Sequence, residues 1–165
     1  MLRLPLTATL AALLAVTVSS STAASATPAG GWGWPIPAPR VITQPFLAPA
    51  TAYSAGHRGI DLRTTPGQAV SAPTSGTVHF AGTVVDRPLL TLRHPGGLLS
   101  SYEPLASTLT EGAVVARGDP IGVVAIGGHC GDSCLHLGVR LDGQYVSPLA
   151  YLGGIPRAVL LPTRR

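Results

Sequence analysis

From Val41 onward, apolar positions come in short runs broken by glycine and proline: "AVSAPTSGTVHFAGTVV", "LLTLRHPGGLLSSYEPL", "AVVARGDPIGVVAIGG" and "LHLGVRLDGQYVSP". Within each stretch the apolar segments are short and rich in Val, Leu and Thr. None keeps the i, i+3, i+4, i+7 spacing over the length of a helix. Asp142-Gly143, between "LGVRL" and "QYV", is a hairpin signal, because a two-residue turn of this kind needs positive φ. The pattern predicts a mainly β fold. Antiparallel sheets should form a single compact β domain over residues 41–152.

The flanks read differently. Arg3 precedes a mostly apolar stretch from Leu4 to Val18, and Ala24 and Ala26 end "STAASA" in an A-x-A arrangement. Residues 1–26 therefore read as a secretory signal peptide cut after Ala26. The apolar run is short for a bilayer span, which needs ~20 residues; an uncleaved anchor is the alternative. No cysteine follows it to carry a lipid. Residues 27–40, "TPAGGWGWPIPAPR", are too dense in proline and glycine for helix or continuous sheet. They read as a linker that wraps onto the domain through Trp32 and Trp34. Residues 153–165 read as a C-terminal tail. The expected location is secreted, extracytoplasmic and associated with the cell wall.

The 165 residues make room for one core, and the formal charge of +4 changes little. Every basic residue is arginine, and the charges are scattered, so no nucleic-acid patch is visible. A weakly attracted polyanion such as a cell wall suits this balance, and so does no electrostatic partner at all.

Candidate chemistry begins at "GHRGIDL", where His57 and Asp61 stand four positions apart. On a straight strand their Cα atoms would be about 13 Å apart, too far to share an ion. Gly59 and the following "TTPG" argue against a helix. A bent loop remains, with Gly59 as the residue that permits the bend. The pair alone is common on protein surfaces; a third residue sharpens it. His136 lies in "CLHLGVR", a short strand on which Leu135 and Leu137 face the other way. Two imidazoles and one carboxylate make a three-ligand zinc set with a vacant fourth position, the arrangement of catalytic zinc. One carboxylate leaves such a site net positive, which acidifies water and polarises a carbonyl.

The order of these pieces resembles the lysostaphin-type, or LytM-type, zinc metallopeptidases that cut peptidoglycan cross-links. "GHRGIDL" is followed by "PGQAVSAPTSGTVHFAG", "LLTLRHPGGLLSSYEPL", "EGAVVARGDPIGVV" and "CLHLGVRLDGQYVSPLAYL". The resemblance covers roughly residues 41–152 and implies a mainly antiparallel β fold. It makes His57 and Asp61 the ligands of an H-x-x-x-D motif and His136 the second histidine of an H-x-H motif, together binding Zn2+. Three positions depart from the pattern. Cys134 stands where the first H-x-H histidine, a catalytic residue, is expected. Pro104 stands where a Y-x-H histidine is expected, and Gly138 replaces an acidic residue. Losing both histidines without replacement would remove acid–base help worth ~10²–10⁴-fold. The candidate replacements are Glu103 and His129. Strand alternation turns Glu103 away from the position next to it, whereas His129 lies in a loop that could reach back. His94 reads as structural, and His79 has no assigned role.

Cys130 and Cys134 flank "GDS", good turn chemistry, and in an oxidising compartment should form a disulfide that pins the loop before His136. The alternative, cysteine as a fourth zinc ligand, would close the open position. The expected function is a secreted zinc metalloendopeptidase acting on peptidoglycan cross-link peptides. The alternative is a catalytically impaired wall-binding or hydrolase-regulating module that keeps the zinc site. A metal-stabilised structural domain is a third, weaker reading. The expected partners are peptidoglycan and, for the regulating module, another wall hydrolase, with no nucleic acid. The expected state is monomeric.

Overall fold

The structure, a computed structural model, describes residues 31–51 and 53–152. The expected signal peptide and C-terminal tail lie outside the described residues, as does the start of the proline-rich segment. Among the described residues eleven strands run in chain order. They are β1 (Ile42–Gln44), β2 (Gly59–Arg63), β3 (Ala69–Ser71), β4 (Gly76–Val84), β5 (Arg87–Arg93) and β6 (Leu98–Glu103), followed by β7 (Leu105–Ala106), β8 (Val114–Val115), β9 (Pro120–Val124), β10 (Cys134–Leu141) and β11 (Gln144–Val146). The large sheet has the order β1-β2-β10-β6-β5-β4-β8, with β11 paired to β10. A small sheet has the order β3-β9-β7. Every strand pair is antiparallel, so the mainly β, antiparallel expectation is borne out. Among the described residues no helix is long and apolar enough to cross a membrane.

Strand alternation divides the large sheet into two chemically distinct faces. Ile60 and Leu62 of β2, Leu90 and Leu92 of β5, Tyr102 of β6, and Leu135, Leu137 and Val139 of β10 are all fully buried. They join one apolar cluster with Val70, Leu105, Ile121 and Val124 of the small sheet. The core therefore lies between the two sheets. Removing that surface from water is the main stabilising term, at about 25 cal/mol per Å². The opposite face of the large sheet carries His136, Asp61, Glu103, Ser101 and Thr91, and is open along much of its length.

Trp32, with Ile36, extends the core from the proline-rich segment. The Trp32 amide donates to the Tyr151 carbonyl at 2.7 Å, and its ring lies 4.7 Å from that of His94. The expected hairpin forms between β10 and β11, with φ of 48° at Asp142 and 83° at Gly143.

His94 is buried, as a structural role requires. Its Nδ1 lies 2.8 Å from the Ser75 carbonyl and its Nε2 2.7 Å from the Ser100 hydroxyl, which lies 2.8 Å from the Tyr102 hydroxyl. A carbonyl only accepts, so for neutral His94 the chain has one direction: Tyr102 donates to Ser100, Ser100 to His94, and His94 to Ser75. His79 sits on β4, where its Nδ1 accepts from Arg93 at 2.9 Å.

Candidate metal centre

The central strands set the geometry. In the β2–β10 register Asp61 faces His136, and in the β10–β6 register His136 faces Glu103. The three side chains form one row across three strands, on the face away from the core. The next row is Gly59, Gly138 and Ser101.

His57 lies just before β2. An isolated bridge fixes it: its amide donates to the Leu47 carbonyl at 2.8 Å, and the Leu47 amide donates back at 3.0 Å. Its ring Nδ1 lies 2.8 Å from the Pro45 carbonyl. Because that oxygen only accepts, Nδ1 carries the proton, and Nε2 of a neutral ring is a bare lone pair. That Nε2 is 3.1 Å from Asp61 Oδ1 and 3.1 Å from His136 Nδ1. His136 Nδ1 is 2.8 Å from the same carboxylate oxygen.

These separations test the site for a cation. Ligands of tetrahedral zinc lie about 3.3 Å apart when each bond is about 2.0–2.1 Å. The donor triangle of 2.8–3.1 Å is slightly tighter, close to what three ligands of one small cation would need. The bare Nε2 of His57 also faces a carboxylate oxygen, an electrostatically poor pairing that a cation corrects. The residues fit a divalent metal of the zinc type. His57, Asp61 and His136 are each buried, at 8, 3 and 7% exposure, so the donors are not dispersed by water. Burial alone pushes the Asp61 carboxyl up, but hydrogen bonds from His136 and His129, and the charge of those rings, outweigh it and hold the group below its usual value.

His129 joins the cluster. It sits in a single 3₁₀ turn, Gly128–Cys130, and its Nε2 is 3.1 Å from both oxygens of Asp61. Donor atoms of His57, Asp61, His129 and His136 all lie within 4.8 Å of one another. The expected disulfide is present: Cys130 and Cys134 are bonded, with Cα atoms 4.9 Å apart. A bonded cysteine offers no thiolate, so ligation by Cys134 does not occur in this state.

Two expectations need correction. Gly59 does not provide the bend. It is the first residue of β2, and a Cβ there would lie 2.2 Å from the Leu137 carbonyl oxygen and 2.6 Å from His136 Nε2. The glycine is there to give the His136 ring room, and the chain turns before it, at the bridge that holds His57. Glu103 is likewise not turned away from the site. Strand β6 ends at Glu103, and Pro104 is buried where the chain leaves for β7, so the proline does not set the phase of the strand. The register opposite His136 puts Glu103 on the same face as the ligands.

Sequence reasoning missed the partner of Glu103. Arg87 Nε donates to Glu103 Oε2 at 2.7 Å, and this hydrogen bond raises the arginine pKa. Nothing around position 87 signals that role until β5 and β6 are paired. It also missed the walls of the groove. A cleft of about 550 Å³ runs from His57, His129 and His136 past Glu103 to Arg140 and Tyr145. A second cleft, of about 620 Å³, lies on the other side of Asp61 and His129. His129 and Gln44 line both.

The sequence pattern of Peptidase family M23 matches residues 55–148, more than half of the chain. The chain belongs to Peptidase family M23. An uncharacterised protein of Mycobacterium tuberculosis is 41% identical over 126 residues, covering 73% of this chain and 50% of the relative. The murein hydrolase activator NlpD of Escherichia coli is 32% identical over 104 residues, covering 61% of this chain and 27% of NlpD. This M23 chain thus spans about half the length of the mycobacterial relative and less of NlpD. The solution structure of lysostaphin shares the fold, with a TM-score of 0.59 at 19% identity, covering 76% of this chain and 57% of lysostaphin. The lysostaphin-type resemblance read from the motifs is borne out at the level of family and fold.

Proposed function

We propose that this M23 domain is an extracytoplasmic zinc metalloendopeptidase acting on the cross-link peptides of peptidoglycan. The observation that carries the reading is the convergence of three donors, His57 Nε2, Asp61 Oδ1 and His136 Nδ1, within 2.8–3.1 Å of one another at a groove in the open sheet face. These three side chains would hold the metal. Zinc bound there supplies Lewis-acid polarisation of a peptide carbonyl and activation of water.

The protein's own groups supply the rest. Glu103 lines the same cleft and stands in the ligand row, with Arg87 Nε donating to its Oε2 at 2.7 Å. We assign it proton transfer, with Oε1 as the accepting atom. Thr91 and Ser101, whose hydroxyls are 3.0 Å apart, line the cleft and offer hydrogen bonds to a peptide backbone. An exported location is consistent with the disulfide.

A second reading has its own support. Pro104 and Cys134 replace two histidines of the motif pattern, and NlpD is named as a murein hydrolase activator. In that reading the domain docks on peptidoglycan or on a wall hydrolase and cuts nothing itself. One experiment separates the two. The zinc-loaded protein is incubated with purified cross-linked peptidoglycan, and new amino termini are counted. The peptidase reading expects release by wild type and none by His136→Ala. No release from wild type, with zinc bound and whether or not a small dithiol has reduced the Cys130–Cys134 bond, leaves the regulatory module. Equal release by the variant rules out zinc-based cleavage.

A further inference from the structure

We propose that His129 is a fourth, displaceable metal ligand, held over the site by the Cys130–Cys134 disulfide and released when a small dithiol reduces that bond. The proposal rests on the metal reading above and adds to it a closed resting state.

Three observations carry it. The first is position. His129 Nε2 lies 3.1 Å from both Asp61 oxygens, within 4.8 Å of the His57 and His136 donors, and its ring meets theirs edge to face at 5.8 and 5.0 Å. Four protein donors around one point are the arrangement of a closed zinc site. The second is location. His129 is the half-exposed member of the cluster, with 46% of its side chain open to solvent, and it lines both clefts. Moving it outward leaves the three buried ligands in place and removes one of the two side chains, His129 and Gln44, that stand between the clefts.

The third is how the residue is held. The turn that carries it is bounded by Gly127, Gly128 and Gly131, all with positive φ. Its internal ties are a few backbone bonds, Gly127 to Gly131 at 3.0 Å, Gly131 to Gly128 at 3.3 Å and Ser133 to Cys130 at 3.0 Å. Glycine backbones of this kind lose most entropy on ordering. The disulfide supplies the rigid tie: Cys130 adjoins His129, and Cys134 is the first residue of β10, two positions before His136. The bond therefore joins the turn of the half-exposed donor to the strand of a buried one.

The redox step balances. One thiolate of the dithiol attacks a sulfur of the Cys130–Cys134 bond, and its second thiol resolves the mixed disulfide. Two electrons and two protons pass to the protein, which ends with two thiols, while the dithiol becomes a disulfide. The turn that carries His129 then keeps its hydrogen bonds but loses its covalent tie to β10.

The test uses the full chain loaded with zinc and reads the metal itself. X-ray absorption counts imidazoles around zinc, and competition with a chromophoric chelator gives affinity. Wild type is expected to show three imidazoles. His129→Ala should show two, with affinity weaker by at least roughly 10-fold, the scale of a lost supporting contact. Reduced wild type and the Cys130→Ser/Cys134→Ser double variant should also fall to two imidazoles. Two imidazoles in oxidised wild type, or unchanged affinity in His129→Ala, would overturn the proposal while leaving the metal reading intact. A sulfur shell at about 2.3 Å in the reduced protein would overturn the release step. Wild type that takes up no zinc ends the metal reading itself. The wild-type imidazole count needs no variant to fold.

Discussion

Gly59 and Gly138 face each other across β2 and β10, and the same substitution at the two positions should have opposite consequences. A Cβ on Gly59 would lie 2.2 Å from the Leu137 carbonyl oxygen and 2.6 and 2.7 Å from His136 Nε2 and Cε1. Ordinary contacts between such atoms begin near 3.4 Å, so the overlap is about 1 Å. The first obstacle is backbone of a paired strand, and the second is a ring tied into the donor cluster. Neither yields cheaply. A Cβ on Gly138 would lie 3.3 Å from the Arg58 carbonyl oxygen and 3.6 Å from His136 Nε2, which a few tenths of an ångström relieves.

Overpacking typically costs 1–3 kcal/mol, and a backbone obstacle puts Gly59→Ala at the top of that range, about 3 kcal/mol. At roughly 4 °C per kcal/mol for a domain of this size, the midpoint should fall by about 12 °C. Gly138→Ala should stay within about 1 kcal/mol, because the entropy removed from the unfolded chain, ~0.4–1 kcal/mol, offsets the tight contact. The assay is thermal unfolding of the chelator-treated proteins followed by zinc titration. Gly59→Ala should also bind zinc at least roughly 10-fold more weakly, since the displaced ring carries a donor. Gly59→Ala with the stability and zinc affinity of wild type would refute the argument that this glycine makes room for His136.

Two further outcomes follow from the same coordinates. Burial holds the His94 pKa below its usual value of 6.5, the backbone bond to Ser75 opposing this only in part. The unfolded chain therefore takes up the proton first: stability is full above the unfolded pKa and is lost as pH falls from 6.5 towards the folded pKa. The stability advantage of wild type over His94→Gln should shrink between about pH 7 and pH 5 in chemical denaturation; a constant gap would remove His94 from the acid response. Glu103→Gln should lower peptidoglycan cleavage by ~10²–10⁴-fold with zinc affinity unchanged, and undiminished cleavage would exclude Glu103 from proton transfer.

What could be read from the sequence was what depends on nearest neighbours. Alternation in "CLHLGVR" put His136 on one face and Leu135 and Leu137 on the other, as observed. The turn at Asp142-Gly143 was legible because its residues suit positive φ. The β4–β5 hairpin was not: its two-residue loop, Val85-Asp86, has Val85 at φ 58°, a conformation β-branched residues avoid. Arg87, the first residue after that turn, reaches Glu103 across the β5–β6 pair, which no local pattern at position 87 marks. Gly59 was misread for a similar reason. A glycine that permits a bend and one that admits a ring look identical in sequence, and only the partner strand distinguishes them. His129 was legible as a loop histidine within reach, but its distance to Asp61 depends on a disulfide and a register 68 residues away in sequence.

The departures from the family motif are not scattered. Cys134 and Gly138 lie two residues before and two residues after His136 on the same strand, hence on the same face. Cys134 gives up a ring nitrogen and gains a bond to Cys130, the neighbour of His129, so an imidazole lost from β10 is matched by one delivered from the adjoining loop. Gly138 leaves the floor of the groove clear beside the His136 ring, and Glu103, in the same row, brings a carboxylate to the groove next to the position that Pro104 occupies. Random decay of a site would be expected to remove ligands along with helpers. Here the three most buried donors of the cluster are present, the changes surround them, and the core face of β2 and β10 is apolar. On the proposed metal reading, that distribution is what a rebuilt site predicts, with an imidazole supplied from a loop that the Cys130–Cys134 bond ties to β10.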